Sequence, residues 1–241
     1  MAEEPPFYVG YLPVPRRLRV FLLGAVGVLL IADVAVALAA FEAQPAHPTG
    51  AWGTEGEVAY RGRFQARPYP LLRLSDRTIL LVGEGKQGAP AGLEQLDGTL
   101  VEAKGYPILR GDLTILQLDQ APARIEGAAP ALPPAEPGRS TRLAGELVDS
   151  KCYAGAMNPG EGKTHKGCAS LCVFGGIPPL LVVRGAGPDP TWYILADPQG
   201  GPLGRAAAPR VGEAVALDGT IVEAPSYRLF ELAPGTLEAL P

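Results

Sequence analysis

Leu96-Asp97-Gly98-Thr99-Leu100-Val101-Glu102-Ala103, followed by Tyr106, returns in the second half of the chain as Leu217-Asp218-Gly219-Thr220-Ile221-Val222-Glu223-Ala224, followed by Tyr227. Such a repeat within one chain implies two copies of one domain. Around it lie short runs of β-type residues broken by Gly, Pro or Asp. In the first half they are Glu57 to Phe64, Leu71 to Leu74, Thr78 to Val82, Thr99 to Ala103 and Leu113 to Leu118. In the second they are Leu143 to Val148, Leu180 to Val183, Trp192 to Ala196, Ala214 to Glu223 and Tyr227 to Leu232. A shorter match sets Gly62-Arg63-Phe64 against Gly145-Glu146-Leu147. These two matches differ in register by about 38 residues, all extra in the second copy. The extra residues fall where every cysteine of the chain and His165 lie, so one copy of a duplicated scaffold gained an insertion, at about 150–178.

Five or so short strands in a unit of roughly 80 residues fit a small closed barrel of the OB type, with a β-sandwich as the alternative. Parallel α/β is excluded, because no helical periodicity separates the strands. The fold class predicted is therefore all-β, with a first domain over 57–126 and a second over 140–241. The proline-rich run Gly127 to Gly138 makes 127–139 a semi-rigid linker.

Upstream, Val20 to Phe41 is apolar except for Asp33. Roughly 22 residues at about 1.5 Å each span about 33 Å, enough to cross a bilayer core. Arg16, Arg17 and Arg19 precede the run, so the positive-inside rule puts residues 1–19 in the cytoplasm. The linker 42–56 and both domains then lie on the other side, the periplasmic face of a bacterial inner membrane. Ala37-Leu38-Ala39 offers a rival signal-peptide cleavage site, but the length of the run favours an uncleaved anchor. A carboxylate in hydrocarbon costs a few kcal/mol, so Asp33 either pairs with a helix of a membrane partner or shifts to the outer interface. The proline- and aromatic-rich segment Pro5 to Pro13 would sit at the inner surface or dock on a partner.

The formal charge of −4 and a pI near 5.3 exclude a nucleic-acid-binding surface. Twenty-six Pro and 31 Gly argue for many turns. Two His, His47 and His165, leave no credible Ser/His/Asp arrangement, so no hydrolase is expected. Gly83-Glu84-Gly85 reads as a turn, since no phosphate-binding fingerprint opens a helix there. Trp192, Tyr193 and Tyr227 read as core rather than as a ligand face.

The chemistry concentrates in Cys152, His165, Cys168 and Cys172. Cys152 ends a strand, a glycine-rich loop follows, and residues 165–172 form a short helical turn that points His165, Cys168 and Cys172 one way. Three thiolates and an imidazole suit Zn²⁺ or Cu⁺ in tetrahedral or lower coordination. The spacing is not that of a zinc finger, and thiols outside the cytoplasm tend toward disulfides. The competing reading is a disulfide from Cys152 to Cys168 or Cys172, worth about 3 kcal/mol in the chain-entropy model, with one odd thiol left over.

The run Asp149-Ser150-Lys151-Cys152-Tyr153, Pro159-Gly160-Glu161-Gly162, His165-x₂-Cys168-Ala169-x₂-Cys172 and Gly175-Gly176-Ile177-Pro178-Pro179 resembles a motif of a poorly characterised group of bacterial exported or membrane-anchored small β proteins. That group has no established activity, so the resemblance implies a location and a site but no reaction. Together these readings predict a membrane-anchored binding or assembly module holding Zn or Cu and serving a membrane redox complex or metal delivery. A disulfide-stapled accessory subunit without metal is the alternative. A thiol–disulfide oxidoreductase ranks last, because no C-x-x-C stands in a thioredoxin-like context.

Overall fold

The computed structural model describes residues 15–43, 50–185, 189–224 and 226–237. The segment Pro5 to Pro13 and His47 lie outside the described residues. The chain divides into two units, Met1–His47 and Pro48–Pro241. In the first, α1 (Arg16–Ala43) runs for 28 residues and buries none of them. At about 1.5 Å per residue it is about 42 Å long. It is long and apolar enough to cross a bilayer, a test that an N-terminal signal segment also passes. Asp33 is exposed on it.

The second unit holds two barrels of one topology. In the first, β2 (Val58–Gln65), β3 (Leu71–Arg73) and β4 (Thr78–Val82) form an antiparallel meander; β4 then pairs parallel with β6 (Leu113–Leu118). β5 (Leu100–Arg110) pairs antiparallel with β6 and β2 and closes the ring. Two short strands, β1 (Ala51–Trp52) and β7 (Ala123–Arg124), add to β5. The second barrel repeats the order with β8 (Arg139–Asp149), β9 (Pro179–Val183), β10 (Thr191–Ala196), β11 (Ala214–Ala224) and β12 (Tyr227–Leu232). Its one parallel pair, β10 with β12, matches β4 with β6. This is the five-stranded OB arrangement, and it recurs in detail. A 3₁₀ turn sits in each third-to-fourth-strand crossover, at Glu94–Leu96 and at Gly204–Arg210.

The strand registers also correct the alignment of the copies. Gly62 and Gly145 occupy equivalent places, as do Val82 and Ala196, which make matching bridges to Gly88 and Pro202. In the last hairpin Arg110 faces Leu113 as Ala224 faces Tyr227, an offset of 114 residues between copies. The repeated phrase is offset by 121, so it lies seven residues out of register, entering β5 in one copy and running along β11 in the other. The offset rises from 83 at Gly62 to 109 at Leu71, whose counterpart is Leu180, so the insertion between β8 and β9 has 26 residues rather than 38. Five more lie in the β9–β10 hairpin, and the other seven belong to the phrase's shift.

Each barrel has its own filling. Phe64, Leu72, Ile79, Leu81 and Leu116 fill the first; Leu147, Leu181, Leu195, Leu217 and Phe230 fill the second. Alternate residues on a strand face opposite sides of it, which leaves Leu71, Leu80, Val82 and Ile115 on the outside of the first barrel. These join Val148, Leu180, Val182 and Ile194 of the second in one continuous cluster. This explains why all five residues of β4 are buried: one face looks into its barrel and the other against its neighbour. Polar contacts lock the same junction, with Trp192 Nε1 donating to Asp112 at 2.7 Å and the Arg73 guanidinium 4.4 Å over the Tyr227 ring.

Candidate metal centre

The end of β8 enters this junction, where its burial changes abruptly. Most of the strand is exposed or half-buried, but Leu147, Val148 and Asp149 are buried. Asp149 has no exposure at all, and Ser150, Lys151, Cys152 and Tyr153 continue the buried run. Asp149 turns the chain: its Oδ1 accepts the Cys152 N–H at 2.8 Å, three residues on, as a helix N-cap does. A short wide helical turn over Cys152–Ala156 follows. Arg110, from the first barrel, holds it by donating to the Tyr153 carbonyl at 2.9 Å while stacking 3.9 Å over the Tyr153 ring.

The insertion returns through α2 (Lys166–Phe174), with His165 at its start. Ala169 and Val173 pack with Ala207 and Ala208 of the second barrel's 3₁₀ turn, and Cys172 points into the shared cluster. The helix stops at Gly175-Gly176, where Gly176 takes a φ of 99°. There the barrels touch through bare backbone, with Gly88 N–H donating to the Gly175 carbonyl at 3.0 Å. A Cβ on Gly175 would overlap the Lys86 carbonyl oxygen, and one on Gly88 would overlap that of Gly176.

Three sulfurs meet in this corner. The Sγ atoms of Cys152, Cys168 and Cys172 lie within 4.8 Å of one another. Cys152 and Cys172 are buried, and Cys168 is half-buried. All three are free thiols; the Cys152 and Cys172 sulfurs stand 4.0 Å apart, about twice the S–S bond length of about 2.05 Å. Two sulfurs sharing one ion at a bond length of about 2.3 Å stand about 3.8 to 4.0 Å apart, for tetrahedral or trigonal geometry. The pair already has that separation.

His165 does not join this set. Its ligand atom falls in a second group, with Asp149 and Cys152, again within 4.8 Å. His165 Nε2 faces Asp149 Oδ2 at 3.0 Å in a pairing almost sealed from solvent. The helix start places the imidazole beside Cys152, away from Cys168, and the buried carboxylate captures it. Cys152 thus belongs to both groups, and the four residues picked out by spacing divide into a sulfur trio and an imidazole behind it.

Two lysines, neither flagged by spacing, complete the electrostatics. Lys86, on the Gly83–Gly88 loop after β4, stands 2.6 Å from Cys168 Sγ and 3.7 Å from Cys172 Sγ. Lys151 is buried and donates to the carbonyls of Gly83 and Gly85 at 2.9 and 2.8 Å, which ties that loop to the insertion. The hydrogen bond shared with Cys152 pushes the Cys172 thiol below its ordinary range, with help from the Lys86 charge and against burial and Asp149. Cys152 moves the opposite way: its hydrogen bond to Cys172, its burial and the Asp149 charge all push its thiol far above the ordinary range. Hydrogen bonding to Cys168 raises the Lys86 ammonium, whereas burial lowers Lys151. Chemically the corner holds three sulfurs that a soft ion could bind as thiolates, with the Lys86 amine against two of them.

Sequence gave two usable signals for what spacing missed. Asp149 stands three residues before Cys152 at a strand end, the pattern of a cap, and the Gly83–Gly88 turn carries a single cation.

Comparison of the chain with protein-family models, with curated proteins and with solved structures finds no match. What fold and site define is a class: a tandem pair of OB-type barrels with a three-cysteine cluster at their junction, and an apolar N-terminal helix. Cys152, Cys168 and Cys172, and separately Asp149, Cys152 and His165, could each hold a metal ion.

Proposed function

We propose that this chain is a membrane-anchored, extracytoplasmic binding or assembly module that holds a soft metal ion, Cu⁺ or Zn²⁺, and serves a membrane redox complex or metal delivery. The observation that carries it is the convergence of three free cysteine sulfurs beside two lysines. Structural thiols in an apolar core need no neighbouring cation, whereas a thiolate site does. Arg16, Arg17 and Arg19, ahead of the apolar run, support a cytoplasmic N-terminus with both barrels on the far side of the membrane. The likeness of the Asp149–Pro179 run to exported bacterial β proteins agrees with that placement. Asp33, the carboxylate within the apolar run Val20 to Phe41, would contact a membrane partner.

Elemental analysis of the full chain, purified in detergent without oxygen, tests the reading. It predicts one equivalent of copper or zinc per chain, lost in Cys168→Ser. Protein that folds yet retains neither ion would overturn it.

The 4.0 Å approach of Cys152 to Cys172 favours one second reading. An extracytoplasmic disulfide donor would take two electrons from this pair, joining the sulfurs and leaving Cys168 alone. The chain would then be a stapled accessory subunit. Thiol counting separates the two: three free thiols after metal removal for the metal module, one for the stapled subunit.

A further inference from the structure

The sulfur trio has no fourth ligand within common reach. Among the described residues, no His, Asp or Glu atom lies within 4.8 Å of all three sulfurs, and His165 is engaged with Asp149. Zn²⁺ in proteins is almost always four-coordinate, by a fourth side chain or by water in an open position. Here the approach beside Cys168 and Cys172 is covered by the Lys86 ammonium, at 2.6 and 3.7 Å. A cation on that side repels a divalent ion more than a monovalent one and disfavours an added water proton donor there. Both lysines act on this cluster, since the Cys152 and Cys172 charges bear on each of them. Thiolate ligands suit Cu⁺ as well as Zn²⁺, so the missing fourth donor and the Lys86 cation at the open side are what favour the monovalent ion here.

We infer that the sulfur cluster is a three-sulfur site for a monovalent soft cation, Cu⁺, formed by Cys152, Cys168 and Cys172 without His165, and that Lys86 from the first barrel acts as its selectivity residue. This rests on the metal reading above and narrows it to one ion, one coordination number and a role for both barrels. Each thiol that binds releases its proton to solvent, and no electron is transferred.

The test titrates the metal-free full chain in detergent, under reductant and without oxygen, with Cu⁺ against a chromophoric Cu⁺ chelator and with Zn²⁺ against a chromophoric Zn²⁺ chelator. X-ray absorption of the loaded protein reads the donor atoms. The expected results are one Cu⁺ per chain that is not displaced by an about tenfold excess of Zn²⁺, and a shell of sulfur with no imidazole contribution. His165→Gln, which keeps a donor for Asp149, should change the Cu⁺ affinity by no more than about tenfold, while Cys168→Ser, which removes a ligand, should lower it well beyond that. Lys86→Gln should shift the Cu⁺/Zn²⁺ preference toward Zn²⁺ by about tenfold. Tighter binding of Zn²⁺ than Cu⁺, or an imidazole nitrogen in the shell, overturns this inference and leaves the metal reading standing. A chain that folds and binds neither ion overturns both.

Discussion

Lys86 Nζ in the first barrel lies 2.6 Å from Cys168 Sγ in the second. The contact exists because the loop that carries Lys86 and the end of α2, the helix that carries Cys168, meet through glycine backbone, Gly88 against Gly175 and Gly176. A side chain at Gly175 must push the Lys86 carbonyl away, although the Gly175 φ of −78° would itself accept any residue. Gly175→Ala therefore isolates the close approach from backbone freedom. It should lower the stability of the metal-free protein by about 1–3 kcal/mol, as overpacking does, read as a fall in melting temperature. An unchanged melting temperature would show that the barrels separate there at no cost.

The hydrogen bond between Cys152 and Cys172 shifts these two thiols in opposite directions. Cys172, pushed down to about 7 from 9.0, should give one equivalent of thiolate absorbance as pH passes through that value in the metal-free chain. A depressed folded pKa means that this group's contribution to stability is complete above its ordinary 9.0 and is lost as pH falls through about 7. Cys152, raised instead, contributes below its ordinary 9.0 and loses that contribution only as pH rises through its own folded value. Removing the donor in Cys152→Ala should return the Cys172 midpoint toward the ordinary range. A Cys172 midpoint that stays near neutrality in that variant would show that Lys86, not the thiol, sets it.

Barrel topology was legible because strands and turns are local. Runs such as Thr78 to Val82 and Tyr227 to Leu232 declare themselves by residue type, and the structure returns both with unchanged bounds. The repeat pointed correctly to duplication, although its strongest phrase turned out to be seven residues out of register. Register is fixed by pairing partners, and Gly62 with Gly145 carried it more faithfully than eight matching letters did. The sulfur trio followed from cysteine spacing together with the position of one strand end. The place of His165 did not, because it depends on Asp149, whose buried carboxylate outcompetes the sulfurs for the imidazole. Nor did the lysines: Lys86 lies 82 residues from Cys168 and reaches it only through the packing of one barrel on the other.

α1 gives a prediction independent of the site. Its 28 residues are apolar enough to remain in a bilayer, with Asp33 as the one interior charge. Cells expressing the full chain should retain it in the membrane pellet through an alkaline carbonate wash, at full length by mass. Soluble protein beginning after Ala39 would instead identify the helix as a cleaved signal.

Asp149 and His165 form a buried pair at 3.0 Å, with Asp149 fully buried. Asp149 has a second duty, since its other oxygen holds the Cys152 N–H at 2.8 Å. In Asp149→Ala the imidazole keeps its burial but loses its partner, and the chain leaves β8 uncapped. Breaking a buried pair from one side costs about 3–5 kcal/mol, because the remaining group stays desolvated. Asp149→Asn keeps an acceptor for Cys152 and a polar neighbour for His165, so the loss there should be smaller, about 1–3 kcal/mol. The substitution also removes a negative charge that raises both Cys152 and Cys172, so thiolate should appear at lower pH in either variant that folds. Denaturant melts of the two variants beside their thiolate titrations check both effects together. Equal stability of Asp149→Ala and the parent would mean that the imidazole is held by its packing alone, and that the carboxylate serves only to turn the chain toward Cys152.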